Sequence, residues 1–157
     1  LQFDKVLIPI LAYYKDHYVR IFFRCFKGKK LGDALVREHQ YVLYNPRTLE
    51  FAVSQYNYKK SCLSMGPLWV GKLIDPKLVQ TMIKNNPFEQ EQSFLELLFK
   101  EKDIVGFHDL HVISKQYHLK TLPIESFSRK VGGTRTHFSP YGIKTNKNIK
   151  QLLELLA

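Results

Sequence analysis

A chain of 157 residues with 45% hydrophobic and 24% charged residues can build a packed core, which excludes an intrinsically disordered protein and leaves one domain or two small ones. Its net charge of +10 and pI near 9.6 favour a polyanionic partner. Apolar runs such as Val6 to Tyr14, interrupted by Pro9, are too short to span a bilayer, and no secretory leader is legible, so a cytoplasmic location without membrane contact is expected.

The first half reads as strands. From His17 to Lys27, alternation puts Val19, Ile21, Phe23 and Cys25 on one face, expected to be core, and Tyr18, Arg20, Phe22, Arg24 and Phe26 on the other. Gly28-Lys29-Lys30 reads as a turn followed by a polar connection. Gln40 to Tyr44 is a strand, Asn45-Pro46-Arg47 a turn, and Leu49 to Tyr56 a further strand of a small antiparallel sheet. Gly66-Pro67-Leu68-Trp69-Val70-Gly71 is a glycine-bracketed apolar strand or turn around the only Trp.

The period then changes. Asp75-Pro76 is a helix start, with Leu78, Val79, Met82 and Ile83 at helical spacing up to Asn85. A second helix is expected from Phe88 to Lys102, burying Phe94, Leu95, Leu97 and Leu98. A third follows Gly106 with Leu110, Ile113 and Tyr117, and a fourth follows Pro123 with Ile124, Phe127 and Val131, ended by Gly132-Gly133. A hairpin centred on Pro140-Tyr141-Gly142 separates these from a last helix bearing Ile149, Leu152, Leu153 and Leu156.

These elements predict an α+β protein: a small antiparallel sheet followed by a winged-helix-like helical part with a basic β-hairpin. The expected division places residues 1–72 in a β-rich subdomain with a ribbon-like hairpin and residues 73–157 in the winged-helix-like subdomain. The Pro123 to Val131 helix would be the recognition-type element and the hairpin its wing. A purely structural helix bundle with a hairpin lid fits the same pattern.

No constellation points to catalysis. Asn86-Pro87-Phe88 has a faint likeness to the loop that holds a target amine in methyltransferases, but between two helical patterns it is better read as punctuation. His108, His111 and His118 lack a carboxylate or thiolate at ligand spacing, and Cys25 and Cys62 form neither a disulfide framework nor a zinc knuckle. The P-loop, G-x-S-x-G and HExxH signatures are absent from the sequence. The charge distribution is more informative. Between Glu125 and Glu154 there is no carboxylate, while Arg129, Lys130, Arg135, Lys144, Lys147 and Lys150 accumulate, so this region should attract phosphate. Phe138 and Tyr141 interleave with these cations, as base stacking requires, although pinning of the hairpin by Phe138 and Ile143 explains the pattern too.

Four blocks, in order along nearly the whole chain, carry a family resemblance. They are Asp16-His17-Tyr18-Val19-Arg20-Ile21-Phe22; Gly66-Pro67-Leu68-Trp69-Val70-Gly71 with Leu73 and Asp75; Asp109-Leu110-His111; and Thr134-Arg135-Thr136-His137-Phe138 with Gly142-Ile143-Lys144-Thr145. Together they resemble the C-terminal domain of Trm1-type tRNA (guanine-26-N2)-dimethyltransferases. The resemblance implies a tRNA-binding portion of an S-adenosylmethionine-dependent enzyme, positioning tRNA for N2-methylation of guanine 26. The N-terminal methyltransferase domain or subunit, with its glycine loop and catalytic motif, has no counterpart in this sequence, so the chain alone would hold no cofactor and should not methylate. Family members often carry paired cysteines before Gly-Pro-Leu-Trp; here only Cys62 remains of them, which disfavours zinc.

On this reading the RNA contacts would be Arg135, His137, Lys144 and Lys147, with Arg129, Lys130 and Tyr141 beside them, and Arg20, Arg24, Lys29 and Lys30 as a second set. The Leu1 to Tyr14 segment is a candidate surface for docking the catalytic portion. Two alternatives remain open at this point: a winged-helix DNA-binding or ribosome-associated protein, and an interaction domain whose basic face is merely solvated.

Overall fold

The computed structural model describes residues 4–156, which fall into two compact units. The first comprises 4–13 and 19–75 among the described residues, the second 14–18 and 76–156.

In the first unit, β1 (Lys5–Lys15) and β2 (Tyr18–Lys27) form a two-stranded ribbon whose tip, at the turn Asp16-His17, belongs to the second unit. Helix α1 (Lys29–Arg37) occupies the stretch expected to be a turn and polar connection. Leu31, Ala34 and Leu35 recur at i, i+3 and i+4, a helical stripe masked by Gly28 and Gly32.

The strands β3 (His39–Asn45), β4 (Glu50–Ser54) and β5 (Leu63–Trp69) form an antiparallel sheet in the order β4-β3-β5. A register shift in the β3/β5 pairing sets Gly66-Pro67 opposite Tyr41, and a Cβ on Gly66 (φ +134) would come within 2.9 Å of the Gln40 carbonyl oxygen. Glycine and proline are tolerated there because a bulge relaxes both the dihedral and the hydrogen-bonding demand. Val6, Leu11, Val42, Leu43 and Leu49 are the buried apolar residues of this unit.

The expected core face of β2 is not buried. Val19 is 68% exposed, Ile21 and Phe23 47% each, and Phe22 and Phe26 on the opposite face 40% each. Among the described strands β2 pairs with β1 alone, and alternation reports that a face is apolar without supplying what covers it.

The second unit follows its helical periodicity. It contains α2 (Pro76–Lys84), α3 (Glu89–Lys100), α4 (Leu110–Tyr117), α5 (Ile124–Val131) and α6 (Ile149–Leu156), with a sheet of β6 (His108–Asp109), β7 (Thr134–Thr136) and β8 (Ser139–Lys144) in the order β6-β8-β7. Leu98, Leu110, Ile113, Phe127, Val131, Ile143, Ile149 and Leu152 are almost fully buried. Each contributes about 1.5–3 kcal/mol of transfer free energy. Phe94 and Leu97, expected in the core, are half-buried.

The Asp109 carboxylate caps α4 by accepting from the backbone N–H groups of His111 (2.9 Å) and Val112 (3.2 Å). Helix α5 ends at Gly132 (φ 63), where the Gly133 N–H donates to the Ser128 carbonyl at 2.9 Å. That closure needs a left-handed residue, and glycine takes it without penalty.

Candidate nucleic-acid interface

The hairpin β7–β8 turns at His137-Phe138, so Pro140-Tyr141-Gly142, read from the sequence as its centre, lies within strand β8. Gly142 is there for space: a Cβ would stand 2.5 Å from Thr136 Cγ2 and 2.9 Å from Phe107 Cδ2. The proline-glycine pair resembles turn chemistry, and close packing overrides that preference.

Underneath the turn sits Glu101, just past the last residue of α3, with its side chain fully buried. Oε1 accepts from Thr136 Oγ1 at 2.9 Å and lies 2.8 Å from Lys144 Nζ. Oε2 accepts from the His137 backbone N–H at 3.0 Å and lies 2.7 Å from His137 Nδ1. The neighbouring Lys102 donates its backbone N–H to Thr134 Oγ1 at 2.8 Å and its Nζ to the Gly132 carbonyl at 2.7 Å. Burial penalises the Glu101 carboxylate, but the bonds and charges of His137 and Lys144 outweigh that penalty and hold its pKa below the ordinary carboxylate value.

A second anchor joins α4 to β8. Ser139 Oγ donates to Asp109 Oδ2 at 2.8 Å and accepts the Tyr141 N–H at 3.2 Å. His111 then stacks on Tyr141 with ring centroids 3.6 Å apart, while Phe138 packs against His137 at 3.9 Å and lies under Lys144 Nζ at 5.5 Å. Phe138 and Tyr141 each remain 43% exposed, so the hairpin offers aromatic surface on a rigid support.

The expected contact residues therefore separate into two groups. Lys144 and His137 have side chains only 7% and 2% exposed and are committed to Glu101; they hold the hairpin from within and do not present charge to a ligand. Arg129 and Lys130 are exposed in the last turn of α5, Arg135 is exposed beside Glu125 at 3.2 Å, Tyr141 is exposed, and Lys147 is half-buried. Arg20 and Arg24 on β2 and Lys29 and Lys30 on α1 are exposed in the first unit. An ion pair as open as Arg135–Glu125 is weak and does not prevent the guanidinium from reaching phosphate.

Glu101 is the residue that sequence reasoning missed. Between Lys100 and Lys102 at a helix end it reads as surface charge, and its partners at 136 and 137 lie 35 and 36 positions away.

Among the described residues the fold is a mixed α/β arrangement of small antiparallel sheets and six helices, carrying a basic hairpin braced on a buried carboxylate. The family model for N2,N2-dimethylguanosine tRNA methyltransferase matches residues 1–157, and the chain belongs to that family. It is 33% identical over 166 residues to the tRNA (guanine(26)-N(2))-dimethyltransferase of Pyrococcus horikoshii, covering 99% of this chain and 44% of that protein. It is 30% identical over 170 residues to the tRNA (guanine(26)-N(2)/guanine(27)-N(2))-dimethyltransferase of Aquifex aeolicus, covering 98% of this chain and 43% of that one. Among solved structures, Trm1 from Pyrococcus horikoshii in complex with S-adenosyl-L-methionine superposes with a TM-score of 0.89 at 30% identity, over 99% of this chain and 45% of that structure. The chain thus spans less than half the length of these relatives and is a portion of a Trm1-type protein.

No helix among the described residues is long and apolar enough to cross a membrane.

Proposed function

We propose that this chain is the tRNA-binding portion of a tRNA guanine-N2-dimethyltransferase and sets the register of tRNA against a catalytic portion that performs the methyl transfer. The observation that carries this reading is the charge distribution around the hairpin. Glu101 beneath it is buried and neutralised from within, and Asp109 is engaged by Ser139 and the start of α4, while Arg129, Lys130, Arg135 and Lys150 remain on the surface of the same unit. Such a surface neutralises phosphate and steers a polyanion, and braced aromatic side chains restrict how it docks.

The order α3-β6-α4-α5-β7-β8, with β8 between β6 and β7, supports a winged-helix reading in which α5 is the recognition-type helix and β7–β8 the wing. The methyl donor belongs, in this reading, to the portion outside this chain. The sheets β4-β3-β5 and β6-β8-β7 pair antiparallel throughout, and they provide no parallel strand, glycine loop and helix to hold a nucleoside. The described residues likewise contain no group of three or more His, Cys, Asp or Glu that could hold a metal ion.

The catalytic portion needs a docking surface, and the apolar faces of β2 supply one: Val19, Ile21 and Phe23 on one side, Phe22 and Phe26 on the other. Of the Leu1 to Tyr14 segment expected to dock it, residues 1–3 lie outside the described residues, Val6 and Leu11 are buried, and Leu7 and Tyr14 are large, apolar and exposed.

The reading is tested by the affinity of the purified chain for folded tRNA and for duplex DNA of equal length across a salt series. Tighter binding of tRNA with a steep salt slope is expected. Equal or DNA-favouring affinity would replace tRNA positioning with winged-helix DNA binding.

A further inference from the structure

The chain has nine tyrosines, and two of them stand apart. Tyr56 and Tyr58, in the segment between β4 and β5, are 77% and 78% exposed, whereas Tyr14 and Tyr141, the next most open, are 39% and 43% exposed. Turn hydrogen bonds flank them. Tyr56 N–H donates to Ser54 Oγ at 3.0 Å, Cys62 N–H donates to the Lys59 carbonyl at 3.1 Å, and Ser61 takes a left-handed turn conformation (φ 64). Lys59 and Lys60 follow directly and are exposed. From Phe51 to Ile74 the chain contains no carboxylate, so no acid of this stretch competes for those cations.

From this we infer that the β4–β5 loop is a second RNA-binding element, in which Tyr56 and Tyr58 stack on unpaired bases while Lys59 and Lys60 hold the adjoining phosphates. The inference rests on the tRNA-binding reading and extends it to a unit and to residues that the basic hairpin does not include. Open aromatic rings two positions apart, next to lysines, fit a single-stranded nucleic acid, because every base offers a π-face and every linkage a charge. Exposed apolar side chains at Val53, Leu63 and Met65 lie on the flanking strands, whereas the run Gln55-Tyr56-Asn57-Tyr58-Lys59-Lys60-Ser61 itself presents only rings, amides, hydroxyls and cations.

The test measures binding of the purified chain to an unmodified tRNA transcript over a salt series, using Tyr56→Ala/Tyr58→Ala, Tyr56→Phe/Tyr58→Phe and Lys59→Ala/Lys60→Ala variants. Loss of the rings should weaken binding about tenfold or more without changing the salt slope, since stacking releases no counterions. The phenylalanine pair keeps both ring faces and should bind like the parent. The lysine pair should flatten the slope by about 1–2. A parent that binds tRNA together with a Tyr56→Ala/Tyr58→Ala variant of equal affinity would overturn the loop's role and leave the hairpin reading intact. A phenylalanine pair as weak as the alanine pair would overturn stacking as the mode of contact. A parent that fails to bind tRNA at low salt would remove both readings together.

Discussion

Lys144 Nζ stands 2.8 Å from Glu101 Oε1, with 7% and 0% of the two side chains exposed, so one of the cations of the basic hairpin is directed into the protein. Removing the carboxylate charge leaves that ammonium buried and uncompensated. Glu101→Gln should therefore destabilise the second unit by about 3–5 kcal/mol, whereas the paired change Glu101→Gln/Lys144→Met, which keeps an amide oxygen for Thr136 or His137 and removes the stranded ammonium, should cost much less. Urea denaturation of the two variants decides this. Equal losses would mean that packing around Glu101, rather than the ion pair, holds the hairpin.

The exposed cations should behave in the opposite way. Arg129→Ala/Lys130→Ala alters two open positions at the end of α5, so the melting temperature should stay near that of the parent. In the proposed tRNA complex, the log–log salt slope should fall by about 2. Lys144→Ala should lower the melting temperature, and any loss of affinity should track loss of structure. Circular dichroism and binding on the same samples separate the two roles.

Acid should weaken the second unit in two stages. Burial pushes the His108 pKa below its ordinary value, a trend partly opposed by a backbone hydrogen bond at Lys147. Glu101 is pushed up by burial but lowered more by His137 and Lys144, with a net depression. Both groups bind protons less readily folded than unfolded. Their contributions are complete above the unfolded pKa and disappear as pH falls through the folded one. Stability should begin to decline below about pH 6.5, through His108, and decline again below about pH 4.5, through Glu101. A His108→Gln variant should lose the first stage and keep the second, as read from melting temperature against pH.

Gly142→Ala should destabilise by about 1–3 kcal/mol through overpacking, because the new methyl would meet Thr136 Cγ2 at 2.5 Å and Phe107 Cδ2 at 2.9 Å. Gly132→Ala meets nothing within 4 Å and should be penalised only by its left-handed backbone (φ +63). Thermal melts of the pair distinguish steric from dihedral cost.

Strand β2 supplies the last test. Ile21→Thr/Phe23→Ser changes side chains that are each 47% exposed, so the chain should remain folded and become more soluble. In the proposed docking, the same substitutions should prevent co-purification with a separately expressed catalytic portion. Unimpaired co-purification would place that interface elsewhere.

Much of the second unit was legible in the sequence. Helical spacing of Leu78, Val79, Leu110, Ile113, Phe127, Val131, Ile149 and Leu152 anticipated α2 and α4 to α6, because a helix burying one face needs little beyond its own period. The accumulation of cations between Glu125 and Glu154 was equally plain, since net charge is a property of composition.

Periodicity, charge and, through four ordered blocks, family are thus legible along the chain. Which charges face water depends on how distant segments pack. Glu101 meets Thr136 and His137 across more than thirty residues, and only that long-range contact turns Lys144 and His137 inward. Packing also decided that Pro140-Tyr141-Gly142 is strand and that the alternating face of β2 lies open. Local pattern fixes which side chains share a face; what covers that face depends on segments distant in the chain, whose approach leaves no periodic trace.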